Sequence, residues 1–123
     1  MGPLSRLRMT MGPLSRLRMT TGRLSGLSLH ELGVRGPAIV QFTTAWCAPC
    51  KVAAPRLIEA ARLADVEYAQ IDVGERPEVA TRYGIRTVPT IAVTGRAGRV
   101  LRTWTRLPRD AEIAEAARRA GVA

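Results

Sequence analysis

Trp46-Cys47-Ala48-Pro49-Cys50-Lys51 contains both cysteines of the chain, with two residues between them. Thiols at this spacing can close a small disulfide ring across the first turn of a helix. The preceding run, Ala38-Ile39-Val40-Gln41-Phe42-Thr43, is short, apolar and rich in β-branched residues, so the pair falls where a strand hands over to a helix. Unpaired backbone N–H groups and the positive end of the helix dipole favour a thiolate on the first cysteine, Cys47. A thiolate is the species that attacks disulfides. The stretch points to thiol–disulfide exchange.

At 123 residues the chain has the size of one domain. Its core must be mainly aliphatic, because there are only five aromatic residues. The net charge of +9 comes from 18 arginines and a single lysine, Lys51, against ten acidic groups. It is uneven: residues 1–36 carry six arginines against Glu31, and residues 37–123 carry 13 basic against nine acidic groups. A basic arm suits nucleic acid or an anionic membrane face. No aromatics interleave with these arginines and no nucleic-acid fold signature is present, so a solvated arm is expected and specific nucleic-acid binding is not.

Two cysteines make no disulfide framework and cannot complete a four-ligand structural zinc site. The one histidine, His30, lies in another segment and reads as a surface residue near a helix start, so no metal and no cofactor are expected. Lys51 after Cys50 breaks the haem-attachment pattern, which needs histidine there. No apolar run reaches the roughly 20 residues of a membrane span. The basic N-terminus lacks the continuous apolar segment of a secretory signal. The chain reads as soluble and cytoplasmic, where a Cys-x-x-Cys pair is more often catalytic than structural.

Residues 1–10, Met-Gly-Pro-Leu-Ser-Arg-Leu-Arg-Met-Thr, recur without change as residues 11–20. Ten residues are too short for a solenoid unit, and two copies bury no core. Residues 1–20 are therefore read as a duplicated, disordered basic segment and residues 21–123 as the folded domain. A short helical turn is expected at Ser28–Leu32, then a strand at 38–43. A helix follows at 49–64, with Pro49 suited to its first turn and Pro55 set to kink it. Its apolar stripe is expected at Ala54, Leu57, Ile58, Ala61 and Ala64. Val66–Val73 reads as a second strand joined by a right-handed crossover, and Arg76–Tyr83 as a short helix stopped by Gly84. Thr90–Thr94 and Arg99–Thr105 flank a hairpin turn at Gly95–Gly98. A last helix from about Arg109 carries the stripe Ile113, Ala116, Ala117 and Ala120. The order β-α-β-α-β-β-α gives an α/β fold, a mixed central sheet with helices on both faces.

From about residue 38 to 120 the chain resembles the thioredoxin family. Trp46-Cys47-Ala48-Pro49-Cys50-Lys51 is similar to that family's Trp-Cys-Gly-Pro-Cys-Lys, with alanine for glycine. Pro55 stands where the family kinks its active-site helix, and Tyr83-Gly-Ile-Arg-Thr-Val-Pro89-Thr90 resembles the segment that presents a cis-proline beside the cysteines. The resemblance implies an exposed nucleophile at Cys47 and a resolving thiol at Cys50. It implies substrate contacts at Trp46, Ala48, Pro49, Val88 and Pro89, with the Val88–Pro89 bond cis. Two departures accompany it. Gln41 occupies the position of the family's buried aspartate, six residues before the first cysteine, and Tyr68 the position of a lysine on the next strand. Arg106 occupies the position of a glycine at the rim of the substrate groove, where it is expected to narrow the groove and favour partners with acidic surfaces.

The implied activity is reduction of protein disulfides, recharged by a separate reductase as electron donor; a monomer is expected, because no surplus apolar stripe remains after the sheet is covered. An oxidase or isomerase would use the same residues at a higher potential, but Ala-Pro between the cysteines is close to the reductive Gly-Pro. Two alternatives are a non-catalytic module that binds proteins around Trp46 and Pro89, and a redox sensor whose oxidation alters a partner.

Overall fold

A computed structural model describes residues 24–122. The expectation of a disordered duplicated segment at residues 1–20 lies outside the described residues. The elements run β1 (Ala38–Thr43), α1 (Ala48–Ala64), β2 (Glu67–Asp72), α2 (Pro77–Tyr83), β3 (Thr90–Thr94), β4 (Val100–Trp104) and α3 (Asp110–Val122), with 3-10 turns at His30–Leu32 and Arg96–Gly98.

The four strands form one sheet in the order β2-β1-β3-β4. β1 pairs with β2 in parallel, and β3 is antiparallel to both β1 and β4. The sheet is therefore mixed, as its sequence pattern implied. Every residue of β1 and β3 is buried, which fits their unbroken apolar runs. On one face, α1 and α3 cover Ile39, Ile91 and Val93 with Leu57, Ala53, Ile113 and Ala117. On the other, Val79 and Tyr83 of α2 join Leu29 and Val34 over Val40, Phe42 and Ala92. Alanines at Ala60, Ala61, Ala116, Ala117 and Ala120 let the two helices of the first face approach closely.

The stripe of α1 is rotated from its expected position. Its buried residues are Cys50, Ala53, Leu57, Ala60 and Ala61; Ile58 is 49 % exposed and Ala54 only half-buried. Alternative stripes one residue apart share Leu57 and Ala61, and the seat that α3 offers selects the one containing Ala53. The stripe expected on α3 is buried at all four positions.

Residues 24–34 are held to the hairpin by backbone contacts rather than by a strand. Ser28 bridges Arg99, Leu29 N donates to Gly98 O at 2.9 Å, and Val100 N donates to Leu27 O at 2.8 Å. Gly98 makes this approach feasible: it has φ +72°, and a Cβ there would lie 2.0 Å from the carbonyl oxygen of Val34.

The topology brings one edge of the sheet together. Thr43 pairs with Asp72, Phe42 with Thr90, and Ile91 with Trp104. The turn carrying the cysteines, the Val88–Pro89 loop and Arg106 therefore all lie at this edge. We expect Gly98→Ala to cost more than about 1 kcal/mol, from its positive φ and the collision with Val34. Urea unfolding should show a lower midpoint; an unchanged midpoint would mean that residues 24–34 do not depend on this contact.

Candidate active site

Cys47 is the N-cap of α1, in extended backbone, and Ala48 and Pro49 make the first helical positions. Cys47 and Cys50 are joined as a disulfide with Cα atoms 5.3 Å apart, and Cys50 N donates to Cys47 Sγ at 3.2 Å. The helix thus directs an otherwise unpartnered N–H, together with its positive end, at Cys47 Sγ. Pro55 lies inside α1 without ending it.

The expected exposure of Cys47 is corrected: in the disulfide it is 8 % exposed and Cys50 2 %. Both cysteines are buried in the disulfide, and Cys47 is the more accessible of the two. Exposure belongs instead to its neighbours, with Trp46 78 % exposed and Ala48 and Pro49 open to solvent.

Beneath the disulfide, Gln41 is fully buried on β1. Its Nε2 donates to Cys50 O at 2.9 Å, and its Oε1 accepts a hydrogen bond from the Tyr68 hydroxyl. Gln70 Nε2 in turn donates to that hydroxyl at 3.0 Å. The amide and phenol satisfy each other and fix the first turn of α1 to the central strand. No member of this chain is charged. Burial pushes the Tyr68 hydroxyl up from its ordinary value, against a smaller opposing pull from the Gln70 hydrogen bond.

Two flanks meet this centre. On one, a Cβ on Gly74 would lie 3.1 Å from Asp72 Oδ1, 3.3 Å from Trp46 Cη2 and 3.5 Å from Thr44 Cγ2. The indole edge therefore rests over Gly74 beside the Asp72 carboxylate. On the other flank, the Val88–Pro89 bond is cis as expected, with Pro89 buried and Val88 half-buried. Thr90 Oγ1 closes that loop by donating to Thr87 O at 2.7 Å. Beside it runs a groove of about 570 Å³ whose lining includes Arg86, Thr87, Trp104 and Arg106. Arg86 and Arg106 are exposed and form no ion pair with another described residue.

The fold thus assembles Trp46, Cys47, Ala48, Pro49 and Cys50 in one turn and brings Val88, Pro89 and Arg106 to the same sheet edge. Sequence reasoning passed over Thr44, Gln70, Asp72 and Gly74. Asp72-Val73-Gly74 carried a local signal, since aspartate two residues before glycine marks a turn closed by the side chain.

A family model described as Thioredoxin matches residues 30–117. Over 60 residues the chain is 42 % identical to a thioredoxin of Rhodospirillum rubrum, covering 47 % of this chain and 58 % of that protein. Over 62 residues it is 36 % identical to thioredoxin M5, chloroplastic, of Oryza sativa subsp. japonica, covering 49 % of this chain and 36 % of that protein. The matched stretches span about a third to just over half of the length of these curated relatives. A single-site mutant of a thioredoxin from Halobacterium salinarum superposes with a TM-score of 0.65 at 25 % identity, over 75 % of this chain and 81 % of that one.

Tyr68 gives the site a signature in alkaline solution. Its raised value in the folded state means that the unfolded chain loses this proton first, so its contribution to stability is complete below about pH 10 and fades above it. We expect Tyr68→Phe to flatten the alkaline loss of stability in the oxidised protein. Parallel wild-type and variant profiles in urea unfolding would show that the hydroxyl is not held in this way.

Proposed function

Because the chain belongs to the thioredoxin family, we propose that it is a thiol–disulfide oxidoreductase that reduces disulfides in partner proteins. The observation that carries this reading is the Cys47–Cys50 disulfide closed across the first turn of α1, with a backbone N–H directed at Cys47 Sγ. In the reduced state Cys47 attacks a partner disulfide, forming a mixed disulfide and releasing one partner sulfur as a thiolate. Cys50 then attacks Cys47 Sγ, the second partner sulfur leaves, and two electrons have passed to the partner. A separate reductase supplies the electrons that reopen the Cys47–Cys50 bond.

The partner approaches as an extended segment. The exposed Trp46 gives it a flat apolar contact, Ala48 and Pro49 form the open face of the helix turn, and Val88 and Pro89 offer backbone groups. Pro89, with no N–H, stops the segment from continuing as a sheet strand. Arg106 and Arg86 edge the groove with positive charge that no carboxylate among the described residues pairs, and favour segments carrying carboxylates.

We place the protein as a monomer in a reducing cytoplasm. Among the described residues no helix is long and apolar enough to cross a membrane. A reductase of this kind should have a reduction potential near the thioredoxin value, about −270 mV.

Two experiments test this reading. Equilibration of the pair against graded dithiothreitol or glutathione buffers should give a potential close to that value, and Cys47→Ser should abolish dithiothreitol-driven insulin reduction. A potential above about −200 mV would favour an oxidase, isomerase or sensor. Full partner binding by Cys47→Ser, with no turnover by wild type, would favour the non-catalytic module. For the groove, Arg106→Glu should slow reduction of an acidic disulfide peptide several-fold relative to a basic one, with the difference shrinking at high salt. Equal effects on both peptides would remove Arg106 from partner selection.

A further inference from the structure

Cys50 meets two different polar surroundings. On the strand side its carbonyl is held by Gln41, whose hydrogen bonds lead on to Tyr68 and from there to Gln70. A glutamine amide does not take up a proton near neutral pH. The other side is a cleft of about 340 Å³ lined by Thr43, Thr44, Cys50, Lys51, Gln70 and Asp72, among others. A water occupies about 30 Å³ of liquid, so there is room for several.

Two features of the cleft suit it to proton movement. Asp72, half-buried, is the one carboxylate in the lining. Gly74 N and Glu75 N both donate to its Oδ1, at 2.8 and 3.0 Å, which fixes the group and leaves Oδ2 outside these bonds. The charged groups facing the cleft are Lys51 from α1 and Asp72 from β2; β1 contributes only hydroxyls. Lysine is a donor only, so Asp72 is the acceptor.

We propose that Asp72 receives the Cys50 proton during resolution of the mixed disulfide, through water in the cleft that both residues line. The assignment rests on the exchange reading above and names the base for its second step. In the mixed disulfide, Cys47 Sγ is bonded to the partner sulfur and Cys50 carries S–H. The proton passes to cleft water and on to the Asp72 carboxylate. The Cys50 sulfur attacks Cys47 Sγ, the Cys47–Cys50 bond forms, and the bond to the partner breaks. The partner sulfur leaves with the electron pair as a thiolate and is protonated by solvent, and Asp72 returns its proton to solvent.

Stopped-flow reaction of the reduced protein with excess bis(thionitrobenzoate) disulfide separates the two steps. The first coloured equivalent reports attack by Cys47 and the second reports resolution by Cys50. Asp72→Asn keeps an oxygen acceptor for the Gly74 and Glu75 N–H groups and removes the base. It should leave the first phase unchanged and slow the second at least about ten-fold near neutral pH. The two proteins should converge in alkaline buffer, where a thiol ionises unaided. A second phase in Asp72→Asn that matches wild type, or is slowed equally at every pH, overturns the assignment. Absence of a first phase in wild type overturns the exchange reading, and this assignment with it.

Discussion

Strand β1 is buried at all six positions and hydrogen-bonded along both edges, and the site is built on that constraint. A polar side chain on such a strand must find every partner inside the protein, because an unsatisfied buried amide costs about 1–3 kcal/mol. Gln41 meets the requirement with a donor and an acceptor: the carbonyl of Cys50 above it and the hydroxyl of Tyr68 beside it. Its bond to Cys50 ties the first turn of α1 to the centre of the sheet. The N-cap geometry of Cys47 follows from that tie, since Cys47 and Cys50 share one turn. The cysteines are thus tied to an internal strand of the sheet, paired on both sides.

Much of this was legible in the sequence, for physical reasons that differ by element. β1 and β3 begin and end where their apolar β-rich runs do, because a strand buried on both faces has no alternation to blur its limits. The cysteine spacing, with Pro49 beside it, located the helix start to within a residue. The stripe of α1 was read less well. Leu57 and Ala61 fit two faces, and the sequence does not say that the alanines of α3 will dock against Ala53 rather than Ile58. The shielding of Cys47 was missed because exposure of a sulfur depends on the ring it closes. The role proposed for Asp72 was missed because a cleft is made by segments distant in sequence, and no local pattern encodes its walls.

Charge is distributed in two ways. The ion pairs among the described residues, such as Arg56–Asp110, Arg62–Glu59 and Arg82–Glu31, join exposed side chains. Such pairs contribute little, typically below about 1 kcal/mol each, so apolar burial on the two faces of the sheet carries the fold. The arginines at the site edge differ, since Arg86 and Arg106 have no carboxylate among the described residues to answer them. A positive field that no carboxylate among the described residues answers favours anionic groups approaching this groove.

The division of labour around Cys50 follows from the cost of burying charge. A carboxylate on β1 would be fully enclosed, and an enclosed carboxylate is either strongly destabilising or kept protonated. A neutral amide at Gln41 avoids that cost and serves as a clamp. Asp72 stands at the strand end, half-buried and steadied by two backbone N–H groups, where a charge keeps part of its hydration. Separating clamp from base costs directness, since the proton must cross a water-filled cleft rather than a single hydrogen bond. It lets β1 remain a dry, neutral strand while the chemistry next to it exchanges protons with solvent.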